Sequence, residues 1–389
     1  MLQELCFTEV RMNIITAFRR RRMAAVASRV RPRAVISGYF GYGNSGDDTS
    51  LSCLISSICN EYRAEEIAVL CRNPRDICGG VLGIWRYDLL RMISVLRRSR
   101  LLISGGGSLF QNSTSIRSLL YYVSVIAVAK LCGARVMICA NGIGPIKGKL
   151  AGMIVRRAVM TADHVSVRDP VSRDRLVKMN IPPERIVLGA DPAFRLAMMN
   201  VCGRGYARRA FGMRDGVRYF AVSLRESWCR GDDLRRICRA CRDIYLRFGL
   251  TPVLITMQES EDGELCRLVA GKICGEALVI PYLSGEELCR LMSEMEFVLS
   301  MRLHLMIYAA TAGTPSVGIS VDPKIDAAAD ILTGCVTVDM DGLCGESLYR
   351  AVSLALSADR EVLLGASRNQ AHLSDMDIST VVGMIGNGI

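Results

Sequence analysis

From Ala34 onward the sequence repeats one unit: a short β-branched and apolar run, a turn marked by Gly or Asp, then a stretch with helical spacing. This constrains the fold more than any other feature, because strands alternating with helical stretches close into a parallel sheet with crossover helices. Six such runs are read in the first half, at 34–37, 67–70, 101–104, 135–140, 164–167 and 186–188. A polar, arginine-rich and glycine-containing segment interrupts the pattern between 191 and 216, and six more runs follow at 219–224, 252–256, 278–280, 297–300, 316–320 and 336–338. The expected fold is α/β, with two Rossmann-like domains whose parallel sheets face a central cleft. The expected organisation is a basic extension at 1–32, a first domain at 33–195, a connection at 196–216, a second domain at 217–370 and a glycine-containing tail at 371–389. A length of 389 residues agrees with two cores. In open sheets of this kind ligands bind beyond the carboxyl ends of the strands, so the residues just after each run are where chemistry is sought.

Bulk properties narrow the classes. The apolar fraction is 50%, yet the longest apolar stretch, 119–129, contains Ser124 and stops at Lys130. A spanning helix needs roughly 20 such residues, so none is expected. Glu4 and Glu9 precede the weakly apolar stretch 12–18 and the run Arg19, Arg20, Arg21 and Arg22 follows it, the reverse of secretory order. The 16 cysteines are scattered through strands and helices, which reads as reduced thiols in a cytoplasm. Cys238 and Cys241 form the one C-x-x-C, inside a helical pattern with no second pair at zinc-ligand spacing, and are assigned to helix packing. A net charge of +11 favours anionic partners. With aromatics at 6% and the other arginines dispersed, nucleic acid is not expected. The four-arginine run is either a solvated flank or a peripheral contact with an anionic membrane leaflet.

The strand ends carry the candidate chemistry. Gly41, Gly43 and Gly46 satisfy the G-x-G-x-x-G dinucleotide pattern. Two residues oppose that reading: Asp47 and Asp48 occupy the helix start that a pyrophosphate would need, and the second strand ends in Arg72 instead of an acidic ribose ligand. Asn44, Asp47 and Asp48 suit sugar hydroxyls better, although an aspartate here also simply caps the helix. Gly106, Gly107 and Ser108 follow the third run, and Asn141 with Gly142 follows the fourth. These are either glycine-lined approaches to a ligand or tight turns. Arg168 follows the fifth run and Arg225 the seventh, so each half offers a guanidinium that binds carboxylate or phosphate bidentately, or else an ion pair with Asp169 or Glu226. The sharpest signal is Ser300-Met301-Arg302-Leu303-His304, followed one strand later by Asp322-Pro323-Lys324. Adjacent strands of a crossover unit bring Arg302, His304 and Lys324 toward one point, where a histidine exchanges a proton near neutral pH. Of the three histidines, His164 and His372 lack such company and are read as structural or surface residues.

Together these motifs resemble the polysaccharide pyruvyltransferases. The likeness runs through the glycine-rich opening 38–48, the loops at 105–108 and 142–145, the segments 166–169 and 190–194, and most closely Arg302-Leu303-His304 with Gly318-Ile319-Ser320 and Asp322-Pro323-Lys324. Asp48 stands where the family often has glutamate and Asn141 where glutamine is frequent. The resemblance implies a fold similar to the GT-B glycosyltransferases, no metal or other cofactor, and transfer of pyruvate from phosphoenolpyruvate to a cell-surface sugar as a ketal. It implies His304 as general acid, with Arg302 and Lys324 in the catalytic group. Arg302, Lys324, Arg168 and Arg225 would hold the donor. Asn44, Asp47, Asp48, Gly106, Gly107, Ser108 and Asn141 would face the acceptor, whose lipid-linked form places the protein in the cytoplasm or at the inner face of the membrane. Two other readings fit the same strand ends: a nucleotide-sugar glycosyltransferase, and a non-catalytic module for a phosphorylated ligand.

Overall fold

Ile36, Val69, Ile103 and Ile138 are almost wholly buried, as parallel strands covered by helices on both faces must be. The computed structural model describes residues 31–386 except 78, 114, 200–202, 204, 274 and 275, so the Arg19 to Arg22 run lies outside the described residues. Strands β1 (Ala34–Ser37), β2 (Ile67–Cys71), β3 (Leu82–Trp85), β4 (Leu101–Gly105), β5 (Arg135–Asn141), β6 (His164–Val167) and β7 (Val187–Leu188) form one sheet. Its order is β3-β2-β1-β4-β5-β6-β7, with every pair parallel. Strands β8 (Arg218–Ser223), β9 (Leu250–Ile255), β10 (Leu278–Ile280), β11 (Val298–Ser300), β12 (Ser316–Ile319) and β13 (Cys335–Val338) form the second sheet, also parallel, in the order β10-β9-β8-β11-β12-β13.

Both sheets are doubly wound, and strand order reverses between β1 and β4 and between β8 and β11. The crevices where ligands bind in such sheets therefore open beside Gly38, Gly105, Leu224 and Met301. The expected α/β architecture of two Rossmann-like domains is what the chain forms. Strand β3 was not among the expected runs: it is a four-residue edge strand, Leu-Gly-Ile-Trp, with only Ile84 fully buried, so it shows neither alternation nor an apolar run.

The chain's end differs from expectation. Residues 371–386 are not a tail; they continue the helix Arg360–Gly386. Its second half returns to the first sheet, where Ile378, Val381, Met384 and Ile385 pack with Ile36, Val69 and Leu101. The 3-10 turn Pro192–Met198 likewise joins the halves, with Ala193, Phe194 and Leu196 buried among Leu305, Tyr308 and Leu288 of the second. Cys241 packs in the second core, on the helix Gly231–Phe248 that also carries Cys238. No described helix is long and apolar enough to cross a membrane.

Candidate active site

The loop leaving β1 becomes the helix Ser45–Ile58, and Asn44 fixes that junction. Its Oδ1 accepts from the backbone of Gly46 and Asp47, while its Nδ2 donates to Gln258 of the second half at 3.2 Å. Ser45 N donates to Met257 O at 3.0 Å, and the Tyr308 hydroxyl donates to Ser45 O at 2.9 Å, so this helix start is tied directly to the opposite domain. Between the two sheet edges lies a cavity of about 260 Å³. Of the anticipated residues, Asn44, Asp47, Gly107, Ser108, Arg168, Arg225, Arg302, His304 and Lys324 line it.

His304 stands in the first turn of the helix Leu303–Thr311, which there meets Gly46. A β-carbon on Gly46 would overlap the imidazole, so only glycine admits the ring here. Nε2 of His304 is enclosed and faces Asp191 Oδ2 at 3.4 Å, while Nδ1 lies on the Gly46 side of the ring. Asp191 is itself buried: its Oδ2 also receives Arg168 Nη1 at 2.8 Å, and its Oδ1 accepts from Ser50 Oγ at 2.9 Å and Ala193 N at 3.1 Å. Burial opposes ionisation of Asp191, but His304 and then Arg168 hold its carboxyl well below the usual carboxylate range. Asp47 behaves oppositely, with burial pushing it up against the lowering influence of His304 and Arg168.

The cations differ in how free they are. Arg168 is buried, bonded to Asp191 and to Ser108 Oγ at 3.0 Å, and 3.6 Å from Asp169; a β-carbon on Gly142 would come within 2.8 Å of its Nη2. It forms a wall with its charge already balanced. Arg302 donates from Nη2 to Asp262 and Glu261 and from Nε to Leu224 O. Arg225 and Lys324 are more accessible and share one carboxylate, Asp322, at 3.9 and 3.2 Å. Burial lowers the Lys324 ammonium pKa, opposed by Asp322.

Three anticipated acceptor residues are not brought to the cavity. Asp48 points to the other side of its helix and accepts from the Tyr282 hydroxyl at 3.1 Å, because successive helical positions diverge by about 100°. Asn141 is buried beneath the β4 loop and donates to Ser104 O at 2.6 Å; a bulge in β5, with Ala140 at φ 47°, sets that direction. Gly106 packs on Phe40. His164 opens β6 and His372 lies exposed on the C-terminal helix, and neither lines the cavity.

Sequence reasoning missed Tyr39, Tyr122, Gln258 and Glu261, which also line the cavity. The strand-end rule applied to β9 points at Met257 and Gln258. Tyr39 stacks on Tyr42 at 4.0 Å, and Tyr42 accepts from the buried Arg86 at 2.8 Å. Among the described residues, no group of three His, Cys, Asp or Glu side chains is arranged as metal ligands are.

The profile of one family, polysaccharide pyruvyl transferase, matches residues 44–323, from the capping Asn44 to the start of the Lys324 helix. The chain belongs to that family. No curated protein matches it in sequence. Among solved structures, UDP-N-acetylglucosamine 2-epimerase from Rickettsia bellii aligns over 92% of this chain and 97% of its own, with a TM-score of 0.61 at 11% identity. The Neisseria meningitidis enzyme bound to UDP-GlcNAc aligns over 90% and 100%, with a TM-score of 0.59 at 10% identity. At such identities the likeness concerns the fold alone, and that fold is GT-B.

Proposed function

We propose that this pyruvyl transferase takes its pyruvyl group from phosphoenolpyruvate and places it on two hydroxyls of one sugar as a ketal. The observation that carries the proposal is His304, wedged between Gly46 and Asp191 of the first domain, beside the accessible cations Arg225 and Lys324 of the second. Phosphoenolpyruvate carries a carboxylate and a phosphate, and Arg225 and Lys324 pair with them in exchange for their shared Asp322. Arg302 adds Nη1, which makes no hydrogen bond among the described residues, and Arg168 closes the far wall.

His304 gives its proton to the methylene carbon of the enol, and Asp191 stabilises the imidazolium that this requires. The adjacent carbon becomes an oxocarbenium-like electrophile, which a sugar hydroxyl attacks as its proton departs. Phosphate then leaves, a second hydroxyl of the same sugar closes the ring, and its proton is released. One proton enters and two leave: one returns to His304 and the other is taken up by the departing phosphate. Asp47 is the first-domain carboxylate that lines the cavity, and Tyr39, Asn44 and Gln258 offer a ring face and amides to a polyol. The route uses no metal, so turnover in the presence of a chelator is expected to equal that without it.

His304→Ala tests the assignment. Turnover is expected to fall by about 10²- to 10⁴-fold while phosphoenolpyruvate binding, followed by calorimetry, is largely kept. Near-normal turnover in that variant would remove His304 from the chemistry.

A further inference from the structure

Between Leu89 and Ala162 the chain holds eight arginines, three lysines and not one acidic residue. Folding gathers this stretch into one layer. The helix Leu89–Leu96 packs on Ile116–Leu131, and that helix packs on Lys149–Thr161. Each follows a parallel strand, β3, β4 or β5, so all three helices begin at the edge of the sheet where the cavity opens. At those beginnings large apolar side chains are left in solvent. Leu90 is 84% exposed, Leu150 67% and Met153 61%, and Leu89, Ile116 and Leu120 are each close to half exposed. Trp85 and Tyr87 stand exposed at the same edge, their rings 5.5 Å apart, and Tyr87 continues into Tyr121 at 5.7 Å. Exposed Arg91, Arg117, Lys147 and Lys149 are interspersed with them. The nearest preceding acid, Asp88, is spent in capping its helix, where it accepts from Arg91 N. The next acid, Asp163, is paired with Lys130.

We propose that this edge of the first domain rests on an anionic membrane surface, with the leucines and aromatics entering the interface and the basic residues meeting lipid headgroups. Exposed apolar side chains gathered at one edge mark an interaction site, and the basic residues interspersed with them select the partner. A protein partner would have to present a wholly acidic face, whereas an anionic bilayer supplies both the hydrocarbon and the negative charge. Ser118 and Tyr122 of the middle helix line the cavity, so docking here turns the cavity mouth toward the lipid. The inference rests on the surface alone and holds whichever donor or acceptor is used.

The test is flotation of the full chain with phosphatidylcholine vesicles with and without phosphatidylglycerol. The wild-type protein is expected to float only with the anionic vesicles and to be released by salt. Leu90→Glu combined with Leu150→Glu is expected to weaken binding about tenfold or more with an unchanged melting temperature, since both side chains are already in solvent. Arg91→Glu with Lys149→Glu is expected to do the same through charge. Four outcomes would overturn the proposal: no flotation of the wild type, flotation indifferent to both pairs, binding that depends on Arg19 to Arg22 alone, or a dimer that the leucine pair splits.

Discussion

Gly46→Ala is a small change with a large expected consequence. Alanine is favoured over glycine by about 1 kcal/mol in a helix interior and by less in the first turn, where Gly46 lies, so local propensity does not oppose the change in the helix Ser45–Ile58. The added methyl, however, would stand 2.6 Å from Cε1 of His304 and nearer still to Nδ1 and Cγ. Carbon contacts settle at about 3.5 to 4.0 Å, so the imidazole must retreat by at least about 1 Å. It cannot retreat into the protein, because Asp191 and the Arg168 ion pair already fill that side. A displacement of about 1 Å in a reacting group costs on the order of 10²-fold in rate. Turnover should fall by about that factor, approaching the loss in His304→Ala, while phosphoenolpyruvate still binds through Arg225 and Lys324. The assay is steady-state phosphate release with calorimetric donor binding and a melting curve on the same preparation. A folded Gly46→Ala protein with wild-type turnover would refute both the placement of His304 and its part in the reaction.

Other substitutions separate binding from folding. Lys324→Ala should raise the Michaelis constant for phosphoenolpyruvate by about 10- to 100-fold, the cost of one charge-assisted bond, and an unchanged constant would contradict its role. Asp377 is 3% exposed against the first sheet, its Oδ2 has no hydrogen-bond partner among the described residues, and burial pushes its pKa up to about 6 in spite of Ser166. Because the folded value lies above the ordinary one, its stabilising contribution is complete below about pH 4 and is lost as pH rises through about 6. Asp377→Asn should therefore be more stable than wild type at pH 8, by up to about 3 kcal/mol in denaturant unfolding, and show no such gain near pH 4. A pH-independent difference would show that this carboxyl is not held protonated.

The sheets were legible because their strands are buried on both faces and so read as unbroken apolar runs, as in Ala34–Ser37 and Leu101–Gly105. The rule that ligands lie beyond strand ends then pointed to His304, Arg302, Lys324 and Arg168, and the adjacency of consecutive crossover strands brought the first three together. Direction around a helix or through a bulge is another matter. Asp47 and Asp48 are adjacent in sequence, yet one faces the cavity and the other Tyr282, because register within the first turn depends on Asn44 as cap. Asn141 turns inward through a backbone irregularity at Ala140 that no residue type announces. The return of the C-terminal helix to the first sheet was hidden because that helix is nearly as apolar on one side as on the other, its small residues giving no clear stripe.

The most direct measurement incubates the protein with phosphoenolpyruvate and a panel of hexosamine glycosides, lipid-linked and synthetic, with a chelator present, and follows phosphate release together with glycoside mass. A glycoside that gains the mass of a pyruvyl ketal, with one phosphate released for each, is the expected result. Phosphoenolpyruvate that fails to bind, in a protein that instead consumes a nucleotide sugar, would contradict the proposed donor and reaction.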